Sequence, residues 1–408
     1  MKAVKIISGL ILIAAMAWLF VSHQQTIRAG VNERDSIAYW AAGNLLRSHQ
    51  NPYSASAVLS LQRAHGYSLE KPLVLRTPPW SLWMVLFLGL LDPFWAWIAW
   101  VAILLASLLI AMRVTWRMYS SEERPSAAFL VTGYLFAPIP ACLVAGQLGI
   151  ALLLGVILFL ALEDRRPFLA GMALLIPFAK PHLFSLWWFV LAVWIISHKK
   201  WRILSGFATA VSLAIMIALL LDPAIFAQYR EMVRTAAIQY EFIPALSGVV
   251  RLIFFRRFFC VQFLPMAAAV GWSLHFYWRN RFTWNWRYHG PALLVISVLT
   301  APYAWMTDEA ILLPAILQGV IWVYAAKDKL KLRSQLIIFV FASLNGLLLL
   351  LLRAKIPFAT GIYFWSSLSW ASWYWYAKSF QSLIAGSGIY AEDLATGFSR
   401  DRSNDREK

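Results

Sequence analysis

The stretch from Gly149 to Ile176, GIALLLGVILFLALEDRRPFLAGMALLI, decides the fold class of this chain. Two apolar runs, which begin near Gly149 and near Phe168, flank a short charged turn from Glu163 to Arg166. Such runs are typical of consecutive helices that cross a membrane, and the two arginines predict that the turn is cytoplasmic. The same alternation of apolar runs and short basic loops recurs along the chain.

The overall composition also indicates an integral membrane protein. Of the 408 residues, 61% are hydrophobic and only 13% are charged. Soluble domains do not have such a composition, so the helices of this chain must be buried in lipid. The formal net charge of +17 comes from Lys and Arg clusters between the apolar runs. That distribution is typical of topology signals and headgroup contacts, and no nucleic-acid partner is predicted.

The apolar runs predict an all-α, polytopic transmembrane bundle of about twelve spans. The first run has a basic start but is too long for a cleaved signal peptide, so it is interpreted as a signal anchor. Two shorter pieces, Pro78 to Leu91 and Leu246 to Phe255, are predicted to be re-entrant or interfacial helices. The predicted spans begin near Val4, Pro93, Ala127, Gly149, Phe168, Leu183, Ile203, Phe259, Pro291, Glu309, Gln335 and Phe358.

The distribution of basic residues predicts the topology. With both termini in the cytoplasm, every cytoplasmic loop is basic, and the isolated polar groups gather at the outer face. Residues 1–377 are predicted to be a single transmembrane domain, with a first outer loop at about residues 23–92. Residues 378–408 are predicted to be a disordered cytoplasmic tail. Short amphipathic helices on the outer face are predicted for Ser36 to Arg47, Ala55 to His65 and Ile225 to Tyr240.

Asp35 is the first candidate for chemistry. It lies just past the first apolar run, where a carboxylate at the membrane surface could take a proton from an acceptor hydroxyl. The alternative is structural, because Asp is favoured as the N-cap of a helix such as the one that Ile37, Tyr39 and Trp40 predict. The local pattern leaves both interpretations open.

Two other polar residues can likewise be explained by a functional role or by a structural one. Lys180, between Pro177 and Pro181, could bind a lipid phosphate or could extend to water from a helix end. Gln147, between Gly146 and Gly149, could donate hydrogen bonds to a substrate or form a polar turn.

Asp308 could have a functional role at the outer face, or it could stabilise the start of a helix through the helix dipole. Arg76 and Arg251 are candidates for phosphate binding, with headgroup contact as the alternative. The histidines have no ligand spacing, so neither a metal site nor a cofactor is predicted. The sequence has no Walker loop and no dinucleotide fingerprint, so no soluble nucleotide substrate is predicted to bind by the usual phosphate cradle.

Three motifs stand out in the chain. The first is Asp35 with YWAAG (39–43), NPY (51–53) and Pro78-Pro79. The second is Gly146 to Leu183, in which a Gly-Gln pair, a Pro-x-x-Ala-Gly turn and a Lys-Pro pair follow in order. The third is Thr300 to Ala315, TAPYAWMTDEAILLPA. Together these motifs resemble glycosyltransferase family 87, a group of polytopic enzymes of the GT-C class, and the third is similar to a later outer-loop motif of that family.

The resemblance implies a membrane enzyme that transfers a sugar from a polyprenyl-phosphate donor to a lipid or glycan hydroxyl at the outer face of the plasma membrane. It implies that Asp35 is the base of an inverting reaction and that Lys180 lies near the donor phosphate. The other candidates are Arg76 and Arg251 for phosphate and lipid, and Tyr39, Asn51, Tyr53, Gln147, His182, Trp305 and Asp308 for substrate.

Three residues depart from the family pattern, namely Thr77, His182 and Met306. They leave the acceptor and the specificity open. Two other functions also stay open at this point: a transporter or flippase for a lipid-linked sugar or an anionic solute, and a non-catalytic assembly partner.

Overall fold

The computed structural model describes Ser22, residues 30–120, 123–236, 245–254 and 257–325, residues 340, 341, 344 and 347, and residues 359–385. This part of the chain is helical and contains no strand, which confirms the all-α prediction. The predicted signal anchor near Val4 and the span that begins near Gln335 fall on or largely on residues outside these ranges. The same holds for the predicted tail from residue 386 onward.

The α-helices are numbered in chain order within the described residues. They are α1 Ser36–Arg47, α2 Ala55–Ala64, α3 Pro93–Tyr119, α4 Ala127–Leu135, α5 Pro138–Ala145, α6 Gly149–Leu162, α7 Pro167–Ala173, α8 Ser185–Ser197, α9 Trp201–Leu221, α10 Ile225–Thr235, α11 Leu246–Phe254, α12 Leu264–Asn280, α13 Trp286–Thr300, α14 Leu313–Ala325 and α15 Ala359–Ala385. Short 3₁₀ helices are Pro79–Met84, Leu88–Leu90, Pro177–Ala179, Pro181–Phe184, Phe259–Phe263, Arg281–Thr283 and Met306–Leu312.

Within the described residues, four helices are long and apolar enough to cross a membrane. These are Pro93–Tyr119, Trp201–Leu221, Phe259–Asn280 and Met306–Tyr324. Two bent pairs raise the number to six if each pair counts as one span: Ala127–Leu135 with Pro138–Ala145, bent by 43°, and Pro167–Ala179 with Pro181–Ser197, bent by 119°. The prediction of spans at Pro93, Ile203, Phe259 and Glu309 agrees with these helices.

Helix α15 reaches Ala385, so the chain is helical for several residues past the predicted end of the membrane domain at residue 377. By its contacts, the chain forms two compact units. The first contains the described residues of Met1–Ile103 together with Val144–Gln147 and Ser212–Ala237, and the second contains the rest. This division does not test whether residues 1–377 form a single domain, so the single domain stays a prediction.

Helix α1 is the centre of the first unit. Almost all of its residues are buried, and Ala41 and Ala42 have no exposed surface at all. The prediction of a surface-lying amphipathic helix at Ser36 to Arg47 is therefore wrong. The reason is the run of small residues, which lets other backbone approach: a Cβ on Gly43 would lie 2.3 Å from the carbonyl oxygen of Val85.

The segment from Pro78 to Leu91 packs against α1 as two short 3₁₀ helices rather than one α-helix. The indole nitrogen of Trp40 donates a hydrogen bond to the carbonyl oxygen of Leu91 at 2.8 Å, and Arg47 donates to that of Gly89 at 3.1 Å. Helix side chains thus satisfy carbonyls that a 3₁₀ turn leaves without an internal partner. As predicted, this segment is not a spanning helix.

Helix α6 lies at the core of the second unit, with ten of its residues buried. Its first residue, Gly149, leaves no room for a side chain, since a Cβ there would lie 2.3 Å from the carbonyl oxygen of Thr307. Nearby, the indoles of Trp187 and Trp286 pack with centroids 4.7 Å apart, and Phe159 meets both rings edge-on. Burial of these large rings accounts for much of the core of this unit.

Helices α7 and α9 approach each other through glycines. A Cβ on Gly171 would lie 2.0 Å from the carbonyl oxygen of Ile203, and one on Gly206 would lie 2.0 Å from that of Phe168. Small residues permit such close backbone contact, which is how helices in lipid gain van der Waals packing. The contact therefore depends on the absence of side chains at both positions.

We expect Gly206→Ala to destabilise the protein by about 1–3 kcal/mol, because the added methyl group must push the two helices apart. The matched control is Gly271→Ala in α12, where an added Cβ meets nothing within 4 Å. There the higher helix propensity of Ala should leave stability unchanged or raise it by up to about 1 kcal/mol. Thermal unfolding of the purified variants in detergent measures both, and equal melting temperatures would contradict the close contact.

Glu163 follows α6 and is a buried acid, with 5% of its surface exposed. Its Oε2 atom has no hydrogen-bond partner within the described part of the chain. Burial penalises the charged form and raises the pKa of Glu163 to about 8, with the neighbouring Asp164 carboxylate adding to the effect and Lys200 opposing it. The folded protein therefore holds a proton on this group that the unfolded chain releases near pH 4.5.

A pH dependence of stability follows from Glu163. Because the folded state binds the proton more tightly, this group lowers stability as the pH rises from about 5 to about 8. Glu163→Gln removes that contribution, so the variant should gain stability relative to the parent between these pH values. Melting temperatures at pH 5 and pH 8 test this, with Glu70→Gln, at an exposed acid of the first unit, as control. A constant difference between Glu163→Gln and parent would contradict the prediction.

Candidate functional site

Asp35 stands immediately before α1, at the position where a helix N-cap is expected. Its side chain makes no capping hydrogen bond with the first-turn amides. Instead, Oδ2 accepts a hydrogen bond from Nε2 of Gln147 at 2.6 Å. The structure therefore does not support the capping interpretation for the Asp35 side chain. The carboxylate is partly exposed, in contrast to the buried residues that follow it.

Gln147 joins Asp35 to Tyr39. The hydroxyl of Tyr39 lies 2.9 Å from Oε1 of Gln147, and the Tyr39 ring is buried against Trp100 with centroids 5.6 Å apart. A carboxylate can only accept, so the amide nitrogen must face Asp35 and the amide oxygen must face Tyr39. The Tyr39 hydroxyl consequently donates its hydrogen bond to Gln147, and the Gln147 amide in turn donates to Asp35.

Gly146 explains how Gln147 reaches this place. Its φ of +71° lies in the left-handed region, and a Cβ there would come within 2.7 Å of the Cβ of Ser36. Both facts require glycine at this position. The indole of Trp100 donates a hydrogen bond to the Gly146 carbonyl oxygen at 2.7 Å and holds the turn. The Gly-Gln pair therefore has a structural explanation, because Gly146 forms the turn that places Gln147 next to Asp35.

Asn51 and Tyr53, two predicted substrate residues, bind the chain itself. The Asn51 side chain accepts from the amide of Tyr53 at 2.8 Å, and the Tyr53 hydroxyl donates to the carbonyl oxygen of Thr77 at 2.9 Å. The Tyr53 ring lies 5.3 Å from that of Tyr229. Burial, with a smaller contribution from Tyr229, raises the pKa of Tyr53 well above its ordinary value. This tyrosine is thus held as a neutral hydrogen-bond donor that fixes the segment before Pro78.

The departure at Thr77 is buried in the same place, and Arg76 beside it is exposed. The Thr77 hydroxyl accepts a hydrogen bond from that of Ser81 at 2.7 Å. Arg76 has an interaction within the chain, so its guanidinium is not without a partner.

In the second unit, Lys180 and Asp308 form an ion pair, with Nζ 2.6 Å from Oδ1. The Lys180 side chain is 14% exposed and that of Asp308 is fully buried, so Lys180 does not extend to water. The other oxygen of Asp308 accepts from the amide of Trp305 at 3.0 Å, while the Asp308 amide donates to the Trp305 carbonyl oxygen at 2.8 Å. The structure thus brings Lys180, which belongs to the second motif, to Asp308 and Trp305, which belong to the third.

His182 lies two residues beyond Lys180, in the 3₁₀ helix Pro181–Phe184. Its ring meets that of Tyr303 edge-on with centroids 5.9 Å apart. Its Nε2 atom is buried and has no hydrogen-bond partner within the described residues. Another departure, Met306, is buried at the start of the 3₁₀ helix that carries Asp308.

Arg251, the remaining phosphate candidate, is on α11 and is 3% exposed. Its guanidinium carbon lies 5.3 Å from the centroid of the Phe259 ring, in a cation–π contact.

Several residues that hold these groups could not be recognised from the sequence. Trp100 looked like an ordinary apolar residue of a span. Glu309 is buried and accepts hydrogen bonds from Ser366 at 2.5 Å and from the indole of Trp370 at 3.1 Å, which ties α15 to the segment that carries Asp308. Tryptophan and serine are common in membrane helices, so only their neighbours reveal these roles. No group of three or more metal-ligating side chains occurs within the described ranges.

The comparisons with known proteins identify the family. Residues 77–344, about two thirds of the chain, match glycosyltransferase family 87. The chain belongs to glycosyltransferase family 87. This confirms the resemblance drawn from the motifs and supports glycosyltransferase activity. Comparison with curated proteins and with solved structures yields no significant match.

The family match includes Gln147, Lys180, His182, Arg251 and the segment from Trp305 to Asp308, but it begins after Asp35. Asp35 is nevertheless hydrogen-bonded to Gln147, a residue inside the matched range. Together with the apolar helices, family membership indicates a membrane-bound glycosyltransferase.

Lys180→Met tests whether Lys180 serves mainly the fold. Removing the ammonium leaves Asp308 buried without its cation, which should destabilise the protein by about 3–5 kcal/mol. The double variant Lys180→Met/Asp308→Asn removes both charges and should recover part of that loss. Thermal unfolding in detergent measures these differences. If Lys180→Met leaves the melting temperature unchanged and abolishes sugar transfer, the lysine serves the substrate and not the fold.

Proposed function

We propose that this protein transfers a sugar from a polyprenyl-phosphate donor to a hydroxyl of a lipid or glycan at the outer face of the plasma membrane, with inversion at the anomeric carbon. Asp35 is the general base. The observation that supports this role is the orientation of its carboxylate: Gln147 fixes Oδ2, and Oδ1 has no hydrogen bond or ion pair to any described residue. Because the Asp35 residue is partly exposed, a carboxylate in that state is suited to accept a proton from an acceptor hydroxyl.

The reaction is a single displacement. The acceptor hydroxyl gives its proton to Asp35 as its oxygen attacks the anomeric carbon of the donor sugar. The bond between that carbon and the phosphate oxygen breaks, and its electron pair leaves with the polyprenyl phosphate. One displacement inverts the configuration at the anomeric carbon. The sugar in this proposal is mannose or a related hexose or pentose.

The leaving phosphate carries negative charge, which basic side chains can stabilise. The predicted ligands of this phosphate are Lys180, Arg76 and Arg251. Lys180 also forms an ion pair with Asp308, and the stability test of Lys180→Met above addresses whether that pair serves the fold. A lipid phosphate as leaving group needs no nucleotide pocket, which is consistent with a sequence that has no phosphate-binding glycine loop.

The proposed setting is a GT-C bundle of about twelve spans, with both termini in the cytoplasm and the polar motifs outside. Tyr39, Asn51, Tyr53, Gln147, His182, Trp305 and Asp308 are the predicted residues around the substrates. Membership of a glycosyltransferase family favours transfer over the transporter alternative.

Asp35→Asn tests the base. We expect transfer from a panel of synthetic polyprenyl-phosphate sugars into membrane lipid to fall by at least about 100-fold, since general base catalysis contributes 10²- to 10⁴-fold. Glu33→Gln is the matched control, because Glu33 is an exposed acid two residues away that accepts a hydrogen bond from Ser68. Its activity should stay within about twofold of the parent.

Each other outcome has a defined meaning. Full activity of Asp35→Asn would remove Asp35 as the base and leave the transferase class intact. If the parent protein transfers no sugar from any member of the panel, the donor class is wrong. Movement of the intact lipid-linked sugar across vesicles without transfer would support the transporter.

A further inference from the structure

We propose that Gln147 and Tyr39 are positioning residues that orient the Asp35 carboxylate, and that neither binds the substrate through its polar atoms. This inference rests on the proposed role of Asp35 as base. It assigns to both residues a function different from the substrate contacts that the sequence predicts for them.

The polar atoms of Tyr39 and Gln147 are already engaged within the protein. Tyr39 is 4% exposed, its ring packs against Trp100, and its hydroxyl donates to Gln147. A substrate could reach that hydroxyl only if this packing opened. The Gln147 amide uses its oxygen for Tyr39 and its nitrogen for Asp35. The polar atoms that would recognise a sugar are thus engaged within the protein.

Helix geometry places Asp35 and Tyr39 where one side chain can contact both. Asp35 and Tyr39 are four residues apart at the start of α1, so their side chains lie on one face of the chain. Gln147 bridges the two from the turn at Gly146. A hydrogen bond at each end of its amide prevents the amide from flipping, and the carboxylate it contacts is thereby held at one oxygen.

The turn that carries Gln147 is itself fixed by several contacts. Gly146 adopts a φ of +71° and touches Ser36, and Trp100 donates a hydrogen bond to the Gly146 carbonyl oxygen. Several residues thus fix the turn that delivers one glutamine. Such a support for a single side chain is what an oriented catalytic group requires, because catalytic groups must be held within a small angle of the reactive geometry.

The consequence for the reaction is a fixed direction for Oδ1 of Asp35. With Oδ2 held by Gln147, rotation of the carboxylate is restricted, and Oδ1 keeps one orientation toward the acceptor. Without the hydrogen bond from Gln147 the carboxylate rotates, so Oδ1 points toward the acceptor hydroxyl in only a fraction of the bound complexes. The expected defect is therefore in kcat and not in KM.

The test uses Gln147→Met, which keeps the length of the side chain and removes both hydrogen bonds. We expect kcat to fall by about tenfold or more, with the KM values for donor and acceptor within about twofold of the parent. Tyr39→Phe keeps the ring packing and removes only the hydroxyl, so kcat should fall by about three- to fivefold.

The double variant decides the mechanism. Because Tyr39 acts through Gln147, Tyr39→Phe should cause no further loss of kcat when Gln147 is already Met. Tyr119→Phe is the control for loss of a tyrosine hydroxyl, since Tyr119 donates to the carbonyl oxygen of Arg287 in the second unit. Its kcat should equal that of the parent. Melting temperatures of all variants exclude misfolding as the cause.

Three results would overturn the inference: a rise in KM at unchanged kcat for Gln147→Met, multiplicative losses in the double variant, or parent-like activity of both single variants. The proposed function is tested separately by Asp35→Asn. If that variant is inactive and Gln147→Met is fully active, only the positioning role fails. If Asp35→Asn is fully active, the base assignment fails and the positioning role fails with it.

Discussion

Polar side chains buried in this apolar chain need partners inside the protein, because hydrocarbon offers no hydrogen bonds and an unpaired buried charge is costly. Several of the described residues meet this constraint with specific pairs, whereas Oε2 of Glu163 and Nε2 of His182 have no hydrogen-bond partner among the described residues. Asp308 is matched by Lys180, Glu309 by Ser366 and Trp370, and the Gln147 amide by Tyr39 and Asp35. Each pair fixes the position of one segment against another, so the polar groups specify the packing that the apolar residues alone would leave loose.

Close backbone approach is the complement of this pairing. Gly43, Gly149, Gly171 and Gly206 each face backbone oxygen at a distance where no side chain fits. Apolar side chains gain little by contacting one another in place of lipid, so dispersion contacts between closely packed backbones become important. The glycines that create these contacts include Gly149, which follows the Gly146-Gln147 turn by two residues. A few consecutive residues thus encode both the Gly146-Gln147 turn of the first unit and the close backbone contact of Gly149 in the second unit.

Within the first unit, the structural arrangement gives the proposed base a defined orientation. The family match begins after Asp35, yet its partner Gln147 lies inside the matched range. The hydrogen bond between them therefore links the start of the chain to the segment that identifies the family. In the second unit, the pairing of Lys180 with Asp308 changes the expectation for that lysine, because much of its charge is balanced by an acid of the protein.

The sequence by itself determined the helical membrane character and the family, because hydropathy and short motifs can be read within a window of a few tens of residues. It also singled out Asp35, Gln147, Lys180 and Asp308, since isolated polar residues are conspicuous among apolar ones. Only the tertiary structure decided which of them meet: Gln147 contacts Asp35 across 112 positions, and Lys180 contacts Asp308 across 128. It also showed α1 to be buried rather than lying on a surface. Such outcomes depend on which segments become neighbours in space, and local sequence carries no record of that.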